Sequence, residues 1–347
     1  MSDTAIRLPD PRRLVVSSSP HAHSGEDVRA IMLTVVVALL PACLAGVWVF
    51  GPRALLVLAV CSLSAVLTEA VLARLMQRPV RLSDGSALLT GMLLGMNLSA
   101  GTPLWISAIG GVIAIGLGKM IYGGLGYNPF NPALVGRVAL LLAFPSALTT
   151  WVKPCGPGGW AAPVDGMTAA TPLGQFAMAG GWIPEQVLTV AGNPIGLREC
   201  FLGNIGGCLG ETSALALLIG GIFLIARRLI RWQVPLGFIG TVAIITAIAH
   251  AAAPDRYAPA AFHLLTGGLF LGAFFMATDM VTSPMGRLGG LIFGVGCGLI
   301  TCVIRLWGSY PEGVSFSILI MNALTPLIDR WTAGKPFGSV PAKGAAS

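Results

Sequence analysis

Charge is scarce in this 347-residue chain: Asp, Glu, Lys and Arg make up only 10% of it, hydrophobic residues make up 55%, and mean hydropathy is +0.81. A water-soluble domain needs far more charge, which excludes soluble globular classes and indicates a polytopic membrane protein. Acidic residues are the scarcer sign, 14 against 21 basic. The seven cysteines contain no C-x-x-C, which argues against an iron–sulfur or zinc site made by this chain alone. Cys43, Cys61, Cys297 and Cys302 fall in apolar stretches, whereas Cys155, Cys200 and Cys208 fall in or at the end of the one long polar break. A Cys155–Cys200 disulfide is conceivable in an oxidising compartment, and free thiols are the favoured reading. A signal peptide is not expected either: residues 1–29 are polar, with Pro9, Pro11 and a Ser17-Ser18-Ser19-Pro20 run, and read as a cytoplasmic arm.

What is present is a series of apolar stretches near the length of a bilayer span. Ten are expected: 30–50, 53–73, 86–99, 104–121, 133–148, 212–229, 234–253, 262–277, 287–306 and 314–331. The third, fifth and eighth are short. With the N-terminus placed in the cytoplasm, fifteen basic residues fall on the cytoplasmic side, Lys119 among them. Five fall outside (Arg53, Lys153, Arg198, Arg256 and Arg305), and Arg137 lies within the fifth span. The positive-inside rule then puts both termini in the cytoplasm and the loop 149–211 on the outer face. The expected divisions are a cytoplasmic arm (1–29), a first five-helix membrane unit (30–148), an outer loop (149–211), a second five-helix unit (212–331) and a cytoplasmic tail (332–347). The net charge of +7 is accounted for by loop ends meeting anionic lipid, with no call for nucleic acid.

The two membrane units repeat. Leu88-Leu89-Thr90-Gly91 opens the third span and Leu264-Leu265-Thr266-Gly267 the eighth, each followed by a glycine-rich span. Ser107/Gly111 and Ala114/Gly118 stand four apart, as do Gly290, Gly294 and Gly298. Small residues at this spacing let helix backbones approach closely in lipid. Matching elements five spans apart imply inverted copies, as in many transporters.

Three polar features carry candidate chemistry. Asp165-Gly166-Met167-Thr168-Ala169-Ala170-Thr171 reads D-x-x-[ST]-x-x-T, the substrate signature of the enzyme that esterifies a flavin phosphate onto threonine. Such a pattern arises by chance in roughly one chain in ten of this length, so its position in the outer loop carries the weight. A transferase needs an exposed, flexible segment there, which the nearby glycines suit. The second feature is Gly123-Gly124-Leu125-Gly126-Tyr127-Asn128-Pro129-Phe130-Asn131-Pro132. Asn131 should cap the fifth span with Pro132 at its first position, either as an ordinary turn or as a half-helix facing a ligand or ion. The third is intramembrane charge. Glu69 reads as snorkelling to the interface beside Arg74 or Arg78. Arg137 would stabilise a reduced, anionic flavin, or simply sit at the interface. Glu211 heads the sixth span and Asp279 follows the eighth. His250 and His263 are expected at the interface rather than on a metal. No catalytic residue and no metal ligand is assigned.

Further blocks accompany these motifs in order: Ser18-Ser19-Pro20-His21-Ala22-His23, Gly210-Glu211-Thr212-Ser213, Phe262-His263-Leu264-Leu265, Gly272-Ala273-Phe274-Phe275-Met276-Ala277-Thr278-Asp279 and Gly308-Ser309-Tyr310-Pro311-Glu312-Gly313. Together they resemble the RnfD/NqrB family: RnfD of the Rnf electron transport complex, and its relative NqrB of the sodium-pumping NADH:quinone oxidoreductase. The resemblance runs from about Ser17 to Arg330, and the short N-terminal arm favours the RnfD side of the family. It implies an all-α, urea-transporter-like fold of about ten transmembrane helices in two inverted five-helix repeats. It also implies covalent FMN on Thr171, with Asp165 and Thr168 as transferase-recognition residues, and leaves room for a second, non-covalent flavin (riboflavin). Arg137, Asn131, Glu211 and Asp279 become candidates for the flavin or ion environment. The implied role is electron relay in an ion-translocating ferredoxin:NAD oxidoreductase of the bacterial inner membrane. The implied partners are the lipid bilayer, a flavin transferase and the other Rnf components (A, B, C, E and G). Two departures stand out: Ala169 replaces a usual Gly, and Met280 replaces the Pro of a usual Thr-Asp-Pro. The competing readings are a solute or ion channel and a structural membrane subunit with no cofactor.

Overall fold

The computed structural model describes residues 27–79, 82–152, 154, 170–179, 182, 196–203, 205–308 and 312–334. Their regular elements are all helical. Four helices are long and apolar enough to cross a membrane: α1 (Val28–Phe50), α2 (Pro52–Leu75), α10 (Gln233–Ala252) and α13 (Arg287–Trp307). Leu55, Leu63, Leu67, Ile244, Ile248 and Leu299 are exposed on their outer faces, as expected of helices that meet lipid. Gly51 (φ 77°) alone joins α1 to α2, and Pro52 begins α2 at a position where a missing N–H costs nothing.

The remaining elements are shorter. The first half continues with α3 (Ser86–Met96), α4 (Leu104–Ile115) extended by a π-helical turn (Gly116–Met120), α5 (Pro132–Ala143) and α6 (Pro145–Thr149). The second half holds α9 (Ala214–Ala226), α11 (Ala260–Leu265), α12 (Leu269–Leu271) extended by a second π-helical turn (Gly272–Met276), and α14 (Val314–Thr332). Between the halves lie α7 (Pro172–Ala179) and α8 (Leu197–Leu202). Two expected spans are therefore discontinuous. The fifth stops at Ala143, because Pro145 starts a new turn, and the eighth is cut at Thr266–Gly268, where Gly267 takes φ 73°. The α3 helix, at about 1.5 Å per residue, covers roughly half of a hydrocarbon core.

The small-residue spacings serve the crossings expected of them. A Cβ on Gly111 would stand 3.0 Å from the Cys61 carbonyl oxygen of α2, and one on Gly298 would stand 2.8 Å from the Phe238 carbonyl oxygen of α10. The α4 helix thus lies along α2 as α13 lies along α10. Helix α1 packs on α9 and α5 on α14, which joins the two halves. One large apolar core runs through both halves, and a smaller cluster of Leu173, Phe176, Ala258 and Phe262 ties α7 to α11.

Where the short helices α3 and α11 end, main-chain carbonyls find protein partners, the condition for irregular chain at membrane depth. After α3, the Asn97 carbonyl accepts from Cys208 Sγ (3.1 Å), and the Leu98 carbonyl accepts from Leu209 N–H (3.0 Å). After α11, Arg305 donates to the carbonyls of His263 (2.6 Å) and Thr266 (3.3 Å). Arg305, expected as an outer-face charge, is instead buried, because three main-chain carbonyls, that of Glu312 included, need its donors.

Candidate functional site

Thr171 immediately precedes α7 and caps it. Its Oγ1 accepts the Gly174 N–H (3.0 Å), and its carbonyl accepts the Gln175 N–H (2.8 Å). Pro172 follows at the first helical position, which needs no donor. The hydroxyl therefore stands at the positive end of a helix, where an added anionic group is favoured. Thr171 is only 5% exposed, in contrast with the exposed segment expected, because Leu173 and Phe176 of the same helix are drawn into the α11 cluster. Asp165 and Thr168 lie outside the described residues, as does Cys155.

Thr171 lines a cavity of about 350 Å³. Leu141, Leu148, Trp151, Met178 and Phe316 give it apolar walls, and Arg137 and Glu312 form its polar end. Arg137 is buried to 2% exposure. Its Nη2 donates to Glu312 Oε2 (3.0 Å), while its Nη1 has no partner among the described residues. An apolar slot with few convergent polar groups suits a small-molecule ligand, and its volume falls at the lower end of such sites. The structure thus brings Thr171 and Arg137 into one cavity, although they are far apart in sequence.

Behind Arg137 lies a cluster between the end of α3 and the break between α11 and α12. Ligand atoms of Cys208, Glu211 and Glu312 all fall within 4.8 Å of one another. Arg137 Nη2 stands 3.7 Å from Cys208 Sγ. Glu211, expected to head the sixth span, stands just before it. It ends a 3₁₀ turn (Leu209–Glu211), and the cap of α9 is Ser213, whose Oγ accepts the Ala216 N–H. Burial, and then the neighbouring Glu312, push the Glu211 carboxyl above the usual carboxylate range. Burial pushes the Cys208 thiol up as well, which keeps it protonated and unreactive. The other described cysteines (Cys43, Cys61, Cys200, Cys297 and Cys302) are also buried free thiols.

Asn131 does cap α5 as expected, accepting the Ala133 N–H (3.0 Å) and the Leu134 N–H (3.4 Å) through Oδ1. Its Nδ2 reaches across to the Met276 carbonyl (3.2 Å) at the end of the second π-turn. Asn131 and Asp279 line a second cavity of about 80 Å³ with Ser86, Lys119 and Asn128. Burial raises the Asp279 carboxyl, and hydrogen bonds from Val281 N–H and Thr282 Oγ1 partly offset this. Asn131 and Asp279 therefore share a cavity with each other, not with Thr171.

The expectation for Glu69 is overturned. It does not snorkel toward Arg74 or Arg78, and Arg78 instead donates to the Gly123 carbonyl at 2.5 Å. Lys119, expected at the cytoplasmic interface, is 1% exposed and donates to Glu69 Oε1 (2.7 Å), Glu69 Oε2 (2.8 Å) and Ser86 Oγ (2.7 Å). The π-turn that contains Lys119 positions it on α2. His263 is also buried rather than interfacial, between Phe176 and Phe262. Glu312 and Lys119 are the site-lining residues that sequence reasoning missed. The available signals were a lysine inside an apolar run and a glutamate in the Gly-Ser-Tyr-Pro-Glu-Gly sequence block.

Comparison with known proteins gives this arrangement a context. The NQR2, RnfD, RnfE family matches residues 15–338. The D component of the proton-translocating ferredoxin:NAD(+) oxidoreductase complex of Clostridium ljungdahlii is 45% identical over 324 residues, covering 93% of this chain and 96% of the relative. The D component of an ion-translocating oxidoreductase complex of Stutzerimonas stutzeri is 46% identical over 331 residues, covering 90% and 92%. The D component of the Na(+)-translocating ferredoxin:NAD(+) oxidoreductase complex of Acetobacterium woodii is 42% identical over 334 residues, covering 96% and 98%. With its helical core and a match over nearly its whole length, the chain belongs to the NQR2, RnfD, RnfE family.

Proposed function

We propose that this chain is the flavin-bearing membrane subunit of an ion-translocating ferredoxin:NAD oxidoreductase complex, with FMN joined through its phosphate to Thr171. The observation that carries the reading is the cavity that Thr171 shares with Arg137 and Glu312. The residues suit the group. The N-terminus of α7 stabilises a phosphoester on the Thr171 oxygen. The walls of Leu141, Leu148, Trp151, Met178 and Phe316 cover an aromatic ring system and exclude water. The free Nη1 of Arg137 offers a cationic donor to a ring that gains negative charge on reduction. Bound FMN supplies the redox chemistry, and the polypeptide supplies position and electrostatics. Asp165 and Thr168 complete the transferase recognition motif.

The rest of the reading follows from the same assignment. Ten spans in two inverted five-helix repeats place both termini in the cytoplasm and the flavin segment outside, and the α1–α9 and α5–α14 pairings and the matched α2–α4 and α10–α13 crossings support this. The Rnf components A, B, C, E and G and a flavin transferase are the partners, and Na⁺ or H⁺ is the coupled ion. A second, non-covalent flavin (riboflavin) has the Asn131–Asp279 cavity as its candidate place. That cavity shares Ile31, Met32, Leu125 and Met280 as a wall with a larger one of about 900 Å³, so side-chain rotation would make room for a ring.

The test is covalent fluorescence. Protein co-produced with the transferase, denatured and run on a gel, should fluoresce under ultraviolet light, and Thr171→Ala should be dark. A dark wild-type band with active transferase present removes the reading, and a bright Thr171→Ala band moves the ester to another hydroxyl.

A further inference from the structure

Two carboxyl groups, Glu211 and Glu312, meet inside the protein between the ends of α3 and α11. Their ligand oxygens lie within 4.8 Å of each other and of Cys208 Sγ. Like charges at that separation, away from water, do not both ionise without full compensation. The compensation is incomplete. Arg137, from α5, reaches Glu312 Oε2 with Nη2 alone. Arg305, from α13, directs its Nε, Nη1 and Nη2 to the carbonyls of Glu312, His263 and Thr266, so its charge reaches the two carboxyls through space and not through a hydrogen bond. Cys208 donates to the Asn97 carbonyl, stands 3.7 Å from Glu312 Oε1 and is held as a thiol. His263, on α11, lies behind Arg305 and gives its carbonyl to that guanidinium.

A metal ion is the first alternative for such a cluster. The Arg137 guanidinium stands 3.0 Å from Glu312 and 3.7 Å from Cys208 Sγ, and a second cation there would be repelled. The unpartnered Nη1 of Arg137, buried at the edge of the Thr171 cavity, calls for an acceptor in that cavity instead. Glu312 lines the same cavity with its side chain 21% exposed, while Glu211 sits behind it. The pair thus has one member facing the cavity and one held in reserve.

We propose that Glu211 and Glu312 share one proton at the foot of the Thr171 cavity, and that Glu312 exchanges this proton with the flavin bound there each time an electron arrives or leaves. This rests on the flavin reading of that cavity. When an electron from a one-electron carrier of the complex reaches flavin bound there, the Glu312 O–H bond would break and its proton would pass to the ring, leaving a Glu312 carboxylate against Arg137. The part-exposed Glu312 would then regain a proton from the aqueous phase, so that one proton is taken up for each electron, and on reoxidation by the next carrier the pair would take back the ring proton and release one. With one proton taken up per electron the buried site keeps its net charge, which a low-dielectric environment strongly favours.

Two measurements test this, and they fail separately. On flavin-free protein, made without transferase, infrared spectroscopy should show a protonated-carboxyl band at neutral pH. The band should titrate above the ordinary carboxylate range, as burial of Glu211 requires. It should disappear in Glu211→Gln and persist in Asp279→Asn. Absence of the band in the native chain overturns the shared proton whether or not flavin ever binds. On the flavin-loaded complex, the midpoint potential of the Thr171 flavin should fall by about 59 mV for each tenfold drop in proton concentration for a one-electron, one-proton step. Glu312→Gln should flatten that dependence and Glu312→Asp should keep it. An unchanged slope in Glu312→Gln overturns the proton exchange. Failure of the gel-fluorescence test would remove the flavin reading alone.

Discussion

Replacing Lys119 with Met should destabilise the protein by about 3–5 kcal/mol, because it strands a carboxylate inside the membrane domain. The lysine gives all three ammonium protons to fixed acceptors, two to Glu69 and one to Ser86, at 2.7–2.8 Å. The side chains of the ion pair are 2% and 8% exposed. Removal of the cation leaves Glu69 to pay its desolvation without a partner. Glu69→Leu alone should cost a similar amount, because it strands the lysine. The double variant Lys119→Met, Glu69→Leu should recover to within about 1 kcal/mol of the parent or exceed it, as buried pairs replaced by apolar groups often do. Unfolding by a denaturing detergent in mixed micelles, followed by tryptophan emission, gives the four free energies of the cycle. Single variants that each cost less than about 1 kcal/mol would refute the argument. Water from the 900 Å³ cavity that Glu69 also lines would then be solvating the carboxylate. A double variant as weak as the singles would show that this locus requires charge rather than neutrality.

Three further outcomes are expected. Gly91→Ala places a Cβ 2.5 Å from Ser62 Cα and 2.7 Å from the Cys61 carbonyl oxygen, so α2 and α3 must separate, at about 1–3 kcal/mol by the same unfolding assay. Asn131→Ala removes the cap of α5 and the bond to the Met276 carbonyl, which should cost about 1–2 kcal/mol, while Asn131→Asp should keep the cap and lose only the cross-contact. Arg305→Met should be the most damaging of the three. It leaves the carbonyls of His263, Thr266 and Glu312 without their donor, at about 1–3 kcal/mol for each group left unpaired, and proteolysis at the α11–α12 break should accelerate.

Local grammar was legible in the sequence. Asn131-Pro132 reads as a cap because the capping oxygen and the amides it serves lie within three residues. The glycine spacings read as crossings because a helix repeats its faces every four residues or so. What could not be read is partnership at a distance. Glu69 and Lys119 are fifty positions apart, and each alone resembles an interfacial charge. Arg305 counts as an outer-loop cation until the carbonyls of a broken span appear beside it. The interruption of the eighth span at Gly267 hides inside a run of acceptable hydropathy, because an apolar window scores the same whether or not its backbone is continuous. The cavity at Thr171 is assembled from α5, α6, α7 and α14, and no single motif encodes it.

The shielded hydroxyl ahead of α7 also sets an order of events. At 5% exposure, with its oxygen already engaged by the first turn of its own helix, Thr171 gives a modifying enzyme no line of approach once Leu173 and Phe176 have seated. Any group destined for that position has to be attached before the segment closes over it. Were the proposed ester formed there, maturation would be a race between decoration and docking, and a chain that docked first would be a well-packed but unloaded product.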